Sequence, residues 1–170
     1  MNMTQHPLTE HDRLQVQQSL AEQQAHREHF SGTMREYYDE MSAETPLAAG
    51  VHCEHVADSG WWLHPQETRT EQVIVFIHGG AYMLGSAQAY RGFASQLAVR
   101  TGCSTLVLDY PLAPEHPFPA APDRVIEILN GLVDSGIEQI ALVGDSAGAA
   151  LSLVALQHPQ LVQKIRAAVL

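Results

Sequence analysis

Only two cysteines, Cys53 and Cys103, occur in 170 residues. That excludes a disulfide framework and leaves reduced, buried thiols as the expectation. Basic residues are scarce: 9 Lys and Arg stand against 19 Asp and Glu, giving a net charge of −10. Such a surface repels nucleic acid and anionic membranes, and leaves near-neutral or hydrophobic small molecules as partners. No apolar run is long enough to span a membrane, and residues 1–9 lack a basic n-region and an apolar h-region. A soluble, cytoplasmic chain is the expectation. Metal-ligand spacing is missing as well. His26 with His29, and His52 with His55, have no third histidine, cysteine or carboxylate pattern beside them, so they read as solvated side chains. One shortage is positional: after Ser146 there is no Asp or Glu, and a single histidine, His158.

What is present is a globular composition, 45% apolar, enough for one core. Residues 1 to about 9 read as a loose tail. Thr9 with Asp12 predicts a capping box for a polar, Gln-rich helix running to about Phe30. A second helical piece, Thr33 to Met41, carries Met34, Tyr37, Tyr38 and Met41 as a packing stripe. Val51–Val56 and Gly60–His64 read as a hairpin with its turn at Asp58-Ser59-Gly60. Val73–Ile77 and Leu106–Tyr110 are continuous apolar runs, the kind a parallel sheet buries on both faces. Helices are expected around Tyr90 to Ala98, ended by Gly102, and around Val125 to Val133, closing near Gly136. A proline-rich stretch, Pro111 to Pro122, reads as a rigid internal loop. Ile140–Val143 is a further strand, Ala147–Gln157 a helix, and Ala167–Leu170 the opening of one more strand. Strands alternating with helices predict an α/β protein with a mostly parallel sheet.

The sharpest local pattern is Gly144-Asp145-Ser146-Ala147-Gly148, set between a strand and a helix with no room for a longer loop. Gly-x-Ser-x-Gly in that setting is the pattern of a nucleophile elbow, which holds one serine hydroxyl clear of the sheet; a tight βα turn of small residues is the other reading. Side chains at Gly144 and Gly148 would collide as strand and helix approach. Acyl transfer also needs donors for an oxyanion. The N–H of Ala147 is one. Gly79 and Gly80, in His78-Gly79-Gly80-Ala81 at the end of a strand, supply others.

Three motifs together carry a resemblance: His78-Gly79-Gly80-Ala81, the run Asp109-Tyr110-Pro111-Leu112-Ala113-Pro114-Glu115-His116-Pro117-Phe118-Pro119-Ala120-Ala121, and the elbow. The sequence resembles the hormone-sensitive lipase family of α/β-hydrolases, the bacterial family IV esterases, from about Val51 onward. Met34 to Leu63 is similar to the entry region of acetyl-esterase and lactone-hydrolase-like members. The resemblance implies Ser146 as nucleophile, Gly79, Gly80 and Ala147 as oxyanion hole, and His78, Glu115, Gly144, Asp145 and Gly148 as structural support. It implies residues 1–50 as tail and helical cap, and 51–170 as the N-terminal part of the hydrolase core. It further implies a small-molecule ester substrate and no metal or organic cofactor, and leaves homo-oligomerisation open. Ala81 and Pro111 stand where the family often has glycine and arginine.

In that fold the triad runs Ser, Asp or Glu, His. His158 is twelve residues along the same helix, about 18 Å along its axis, so it cannot take a proton from Ser146. The expectation is a serine carboxylic-ester hydrolase for short-chain acyl esters whose acid and base lie outside these residues. The chain by itself is then inactive, with an uncovered sheet edge prone to aggregation. The alternatives are lactone, amide or arylformamide hydrolysis on the same scaffold, or a non-catalytic truncated product.

Overall fold

The computed structural model describes residues 7–69 and 71–170. Most of the expected tail therefore lies outside the described residues. They form two compact units, divided between Thr33 and Met34. The first holds helix α1, Glu10–His29. The capping box forms as its sequence predicts. The Thr9 hydroxyl accepts from the Asp12 N–H at 3.2 Å, and the Asp12 carboxylate accepts from the Thr9 N–H at 2.9 Å. With few apolar positions to bury, α1 has no buried residue.

The second unit contains, in chain order, α2 (Met34–Ser42), β1 (His52–Val56), β2 (Gly60–His64), β3 (Gln72–Ile77), α3 (Arg91–Thr101), β4 (Ser104–Leu108), α4 (Ala120–Asp134), β5 (Gln139–Gly144), α5 (Ala147–Leu156) and β6 (Ile165–Val169). The strands make one six-stranded sheet in the order β1-β2-β4-β3-β5-β6. The β4-β3-β5-β6 side is parallel, and the β1–β2 hairpin is added antiparallel along β4. This is the expected α/β architecture with a mostly parallel sheet.

Period-two alternation divides the core between two layers. Val73, Val75 and Ile77 of β3 pack with Val125, Leu129 and Leu151 on the α4–α5 face. Phe76 and Val107 pack with Leu63, Ala94 and Ala98 on the α3 face. Both faces of β3 and β4 are covered, which is why these strands read as unbroken apolar runs. Gly102 ends α3 in the left-handed conformation, at φ 66°.

Two expectations need correction. The strand expected at Leu106–Tyr110 begins and ends two residues earlier, at Ser104–Leu108. Ser104 and Thr105 are polar, yet both are buried in the ladder. Asp109 leaves it to accept a hydrogen bond from the Ala87 N–H at 2.8 Å. The thiols of Cys53 and Cys103 are free but only half-buried. Among the described residues, no helix is long and apolar enough to cross a membrane.

Candidate active site

β5 ends at Gly144 and α5 begins at Ala147, so only Asp145 and Ser146 make the turn. Ser146 is exposed and takes φ 52°, ψ −111°. A non-glycine residue there is strained by about 1–3 kcal/mol. The turn persists because its surroundings leave no alternative. A Cβ on Gly148 would stand 1.9 Å from the Ile77 carbonyl oxygen, and one on Gly144 would stand 2.7 Å from the Ala149 backbone. The Asp145 N–H donates to the Ile77 carbonyl at 3.2 Å, tying the elbow to the end of β3.

The His78-Gly79-Gly80-Ala81 segment leaves β3 beside this turn. Gly79 lies against the Asp145 side chain, where an added Cβ would come within 2.5 Å of Oδ2. Gly80, at φ 113°, turns the chain so that its carbonyl accepts from the N–H groups of Met83 (3.0 Å) and Leu84 (2.8 Å). The first turn of α5 is closed by Gly148 N–H to Asp145 O at 2.7 Å and Ala149 N–H to Ser146 O at 3.0 Å. Among the described residues, none of the N–H groups of Gly79, Gly80 and Ala147 donates to a backbone carbonyl. Three amide donors thus stand at the C-terminal edge of the sheet, where ligands of open α/β folds bind. Two belong to the loop that leaves β3 and one starts a helix whose dipole is positive at that end.

His78 is buried and stacked between aromatic rings, 4.4 Å from Tyr110 and 5.7 Å from Tyr90 between centroids. Its Nδ1 lies 2.7 Å from the Gly79 carbonyl, and the Tyr110 hydroxyl donates to the His78 carbonyl at 2.8 Å. Burial holds its pKa below the ordinary histidine value, so the ring is neutral. Burial likewise pushes the Tyr110 hydroxyl upward. His78 is thus a packed part of the loop.

Helix α2 contributes two residues that no sequence pattern singled out, Arg35 and Asp39, and one, Tyr38, from the expected packing stripe. The Arg35 guanidinium reaches Met83, Ala113 and Glu115. Asp39 accepts from the Ser86 hydroxyl at 2.7 Å, and the hydroxyls of Tyr38 and Tyr90 are 3.3 Å apart. Their partners lie 47 to 80 residues away, so spacing gives no signal for them. Glu115, assigned to loop support by resemblance, is exposed and held below the usual carboxylate range by its hydrogen bond from Arg35.

An apolar cavity of about 430 Å³ opens beside the loop, lined by Tyr82, Met83, Phe118, Pro122, Leu151 and Val154 among others. A larger, open and more polar depression of about 760 Å³ is lined by residues 65–69 and 101–102, before the start of β4. His158 follows α5 at its far end, with Nδ1 buried and unpartnered.

A strand-turn-helix elbow carrying an exposed serine, on a mostly parallel sheet, defines the α/β hydrolase class. A profile of the alpha/beta hydrolase fold matches residues 74–170, more than half of the chain, and the chain belongs to that family. Among curated proteins it is similar to an esterase of Acinetobacter venetianus, 44% identical over 97 residues. An acetyl-hydrolase of Streptomyces hygroscopicus is 40% identical over 100 residues. These matches cover 54% and 56% of this chain but only 32% of each relative. Among solved structures, an esterase from the bacterial hormone-sensitive lipase family is 30% identical with a TM-score of 0.71, covering 90% of this chain and 51% of that one. An esterase/lipase from an uncultured bacterium is 26% identical with a TM-score of 0.65, covering 81% and 51%. The chain therefore spans about a third of the curated relatives' length and half that of the solved ones. The resemblance carried by the three motifs holds.

Proposed function

We propose that this chain carries the nucleophile and oxyanion hole of a serine carboxylic-ester hydrolase. The observation that supports this best is Ser146 itself, exposed at a strained elbow, with Ala147 next in the chain, Gly79 against the Asp145 side chain, and the N–H groups of Gly79, Gly80 and Ala147 not donating to any backbone carbonyl among the described residues. In this reading the Ser146 hydroxyl attacks the ester carbonyl. The developing oxyanion is received by those N–H groups, each worth about 3–4 kcal/mol of barrier. The alcohol leaves, and water releases the acid from the acyl-enzyme. The similarity to an esterase and an acetyl-hydrolase supports ester substrates with small acyl groups. The apolar cavity beside Tyr82 and Met83 would receive the apolar part of such an ester. Helix α2, lying over the loop, reads as part of a cap, and residues from β1 onward as hydrolase core.

A base must take the Ser146 proton. His158 stands at the wrong end of α5, and His78 is packed between tyrosines. Because acid and base follow the nucleophile in this fold, they are assigned to residues beyond this chain. The test uses the longest open reading frame that contains these residues, assayed on p-nitrophenyl acetate and butyrate. Ser146→Ala is expected to reduce kcat by at least about 10³-fold. The 170-residue chain alone should not exceed its Ser146→Ala control. Unchanged hydrolysis by the Ser146→Ala variant of the longer protein overturns the nucleophile. Sustained Ser146-dependent turnover by the short chain overturns the placement of the base.

A further inference from the structure

The loop that would hold the oxyanion is conformationally costly. Between residues 79 and 85, Gly80, Ala81, Tyr82 and Gly85 all have positive φ, at 113°, 54°, 62° and 90°. Ala81 and Tyr82 are not glycines, so the loop relaxes unless its neighbours over-determine it. Its own two bonds, to the Gly80 carbonyl, close only the turn itself. Two carbonyls on its outer side are held from elsewhere. The Tyr82 carbonyl accepts from the Ala113 N–H at 2.8 Å. The Met83 carbonyl accepts from Arg35 Nε at 2.8 Å. The same guanidinium donates to the Ala113 carbonyl at 2.9 Å and to the Glu115 carboxylate at 2.6 Å. One planar fork thus joins α2, the oxyanion loop and the proline-rich loop, and fixes the very residue, Ala113, that holds Tyr82.

We propose that Arg35 is a positioning residue for the oxyanion loop, an inference that rests on the function proposed above. The ion pair contributes little to folding. Its side chains are 41% and 55% exposed, so solvent screens the pair. What it supplies is geometry: five donors in a rigid plane, directed at three acceptors on two loops. Lysine can keep the charge and the pairing with Glu115, but it cannot serve all three at once.

The test compares Arg35→Lys and Arg35→Met with the parent in the longer reading frame. For p-nitrophenyl butyrate, kcat is expected to fall by about 10- to 100-fold. KM should stay within about twofold, because a displaced oxyanion donor weakens the transition state more than the ground state. Melting temperatures should stay within about 4 °C. Glu115→Gln should lose less than either, since it leaves both backbone carbonyls bonded. Independently of turnover, the amide protons of Met83 and Leu84 should exchange about tenfold faster in Arg35→Lys. Parental kcat in both Arg35 variants overturns the proposal while the Ser146→Ala result stands. If Ser146→Ala proves active, the function fails instead, and the amide exchange alone decides whether Arg35 holds the loop. Unchanged exchange overturns that too, as does a kcat loss that disappears well below each variant's melting temperature.

Discussion

Gly148 and Gly131 show how one substitution can have opposite signs. A methyl group at Gly148 would be driven into the Ile77 backbone carbonyl, 1.9 Å away, and no flexible side chain is there to yield. Gly148→Ala is expected to destabilise the chain by more than about 3 kcal/mol, or to prevent folding. At Gly131, inside α4, nothing lies within 4 Å. Gly131→Ala should stabilise by about 0.5–1 kcal/mol, because it removes backbone freedom from the unfolded chain. Chemical denaturation of both variants checks the pair. His78 gives a pH signature. Its folded-state pKa lies below 6.5, so the unfolded chain binds more protons once the pH falls below about 6.5, and stability drops there. His78→Phe lacks this component. The stability gap between parent and variant should therefore narrow from pH 8 to pH 5.5, as read by melting temperature. The elbow was legible at this scale because its parts are five consecutive residues whose steric job follows from their spacing. Arg35 was not, because its three acceptors come from segments that only the fold brings together.

Among elements, α1 is governed almost wholly by its start. It buries nothing, so its helix rests on local terms, and the Thr9–Asp12 box is the strongest of them. Thr9→Ala should cost about 1 kcal/mol of helix stability. Circular dichroism should show the loss as reduced helicity, confined by hydrogen exchange to residues 10–29. β4 teaches the reverse. Hydropathy places the strand two residues late, because it opens on two polar residues, Ser104 and Thr105. Thr105 pairs with Ile74 and Leu63 across both neighbours. Ser104 is satisfied by His64 at 2.9 Å and Thr68 at 2.7 Å. Side-chain bonds from outside the strand satisfy Ser104, while the Thr105 hydroxyl is buried without a partner and that residue is held by its backbone ladder, and no linear pattern carries that information.

For the molecule as a whole, β6 is the outer strand on the parallel side, paired only with β5 among the described residues. Val169 is 64% exposed and Leu170 52%. Exposed apolar edges recruit further strands, while a net charge of −10 opposes close approach. Association of the 170-residue chain should therefore be weak at low ionic strength and grow as salt screens the repulsion. Val169→Lys should reduce it, as measured by light scattering against salt. The alternation of strands and helices made the parallel sheet legible in advance. The strand order was not, because hydropathy says which segments are buried and nothing about which lie side by side.

That order has a consequence for synthesis. β3 is an apolar strand buried at every position but its first, and both of its neighbours, β4 and β5, come later in the chain. On the ribosome it emerges without a lateral partner and must wait until residue 144 for the second. During that interval the nascent polypeptide offers a sticky, unpaired ribbon, the kind of segment that chaperones bind, so yield in the cell should depend on holdase capacity more than on final stability.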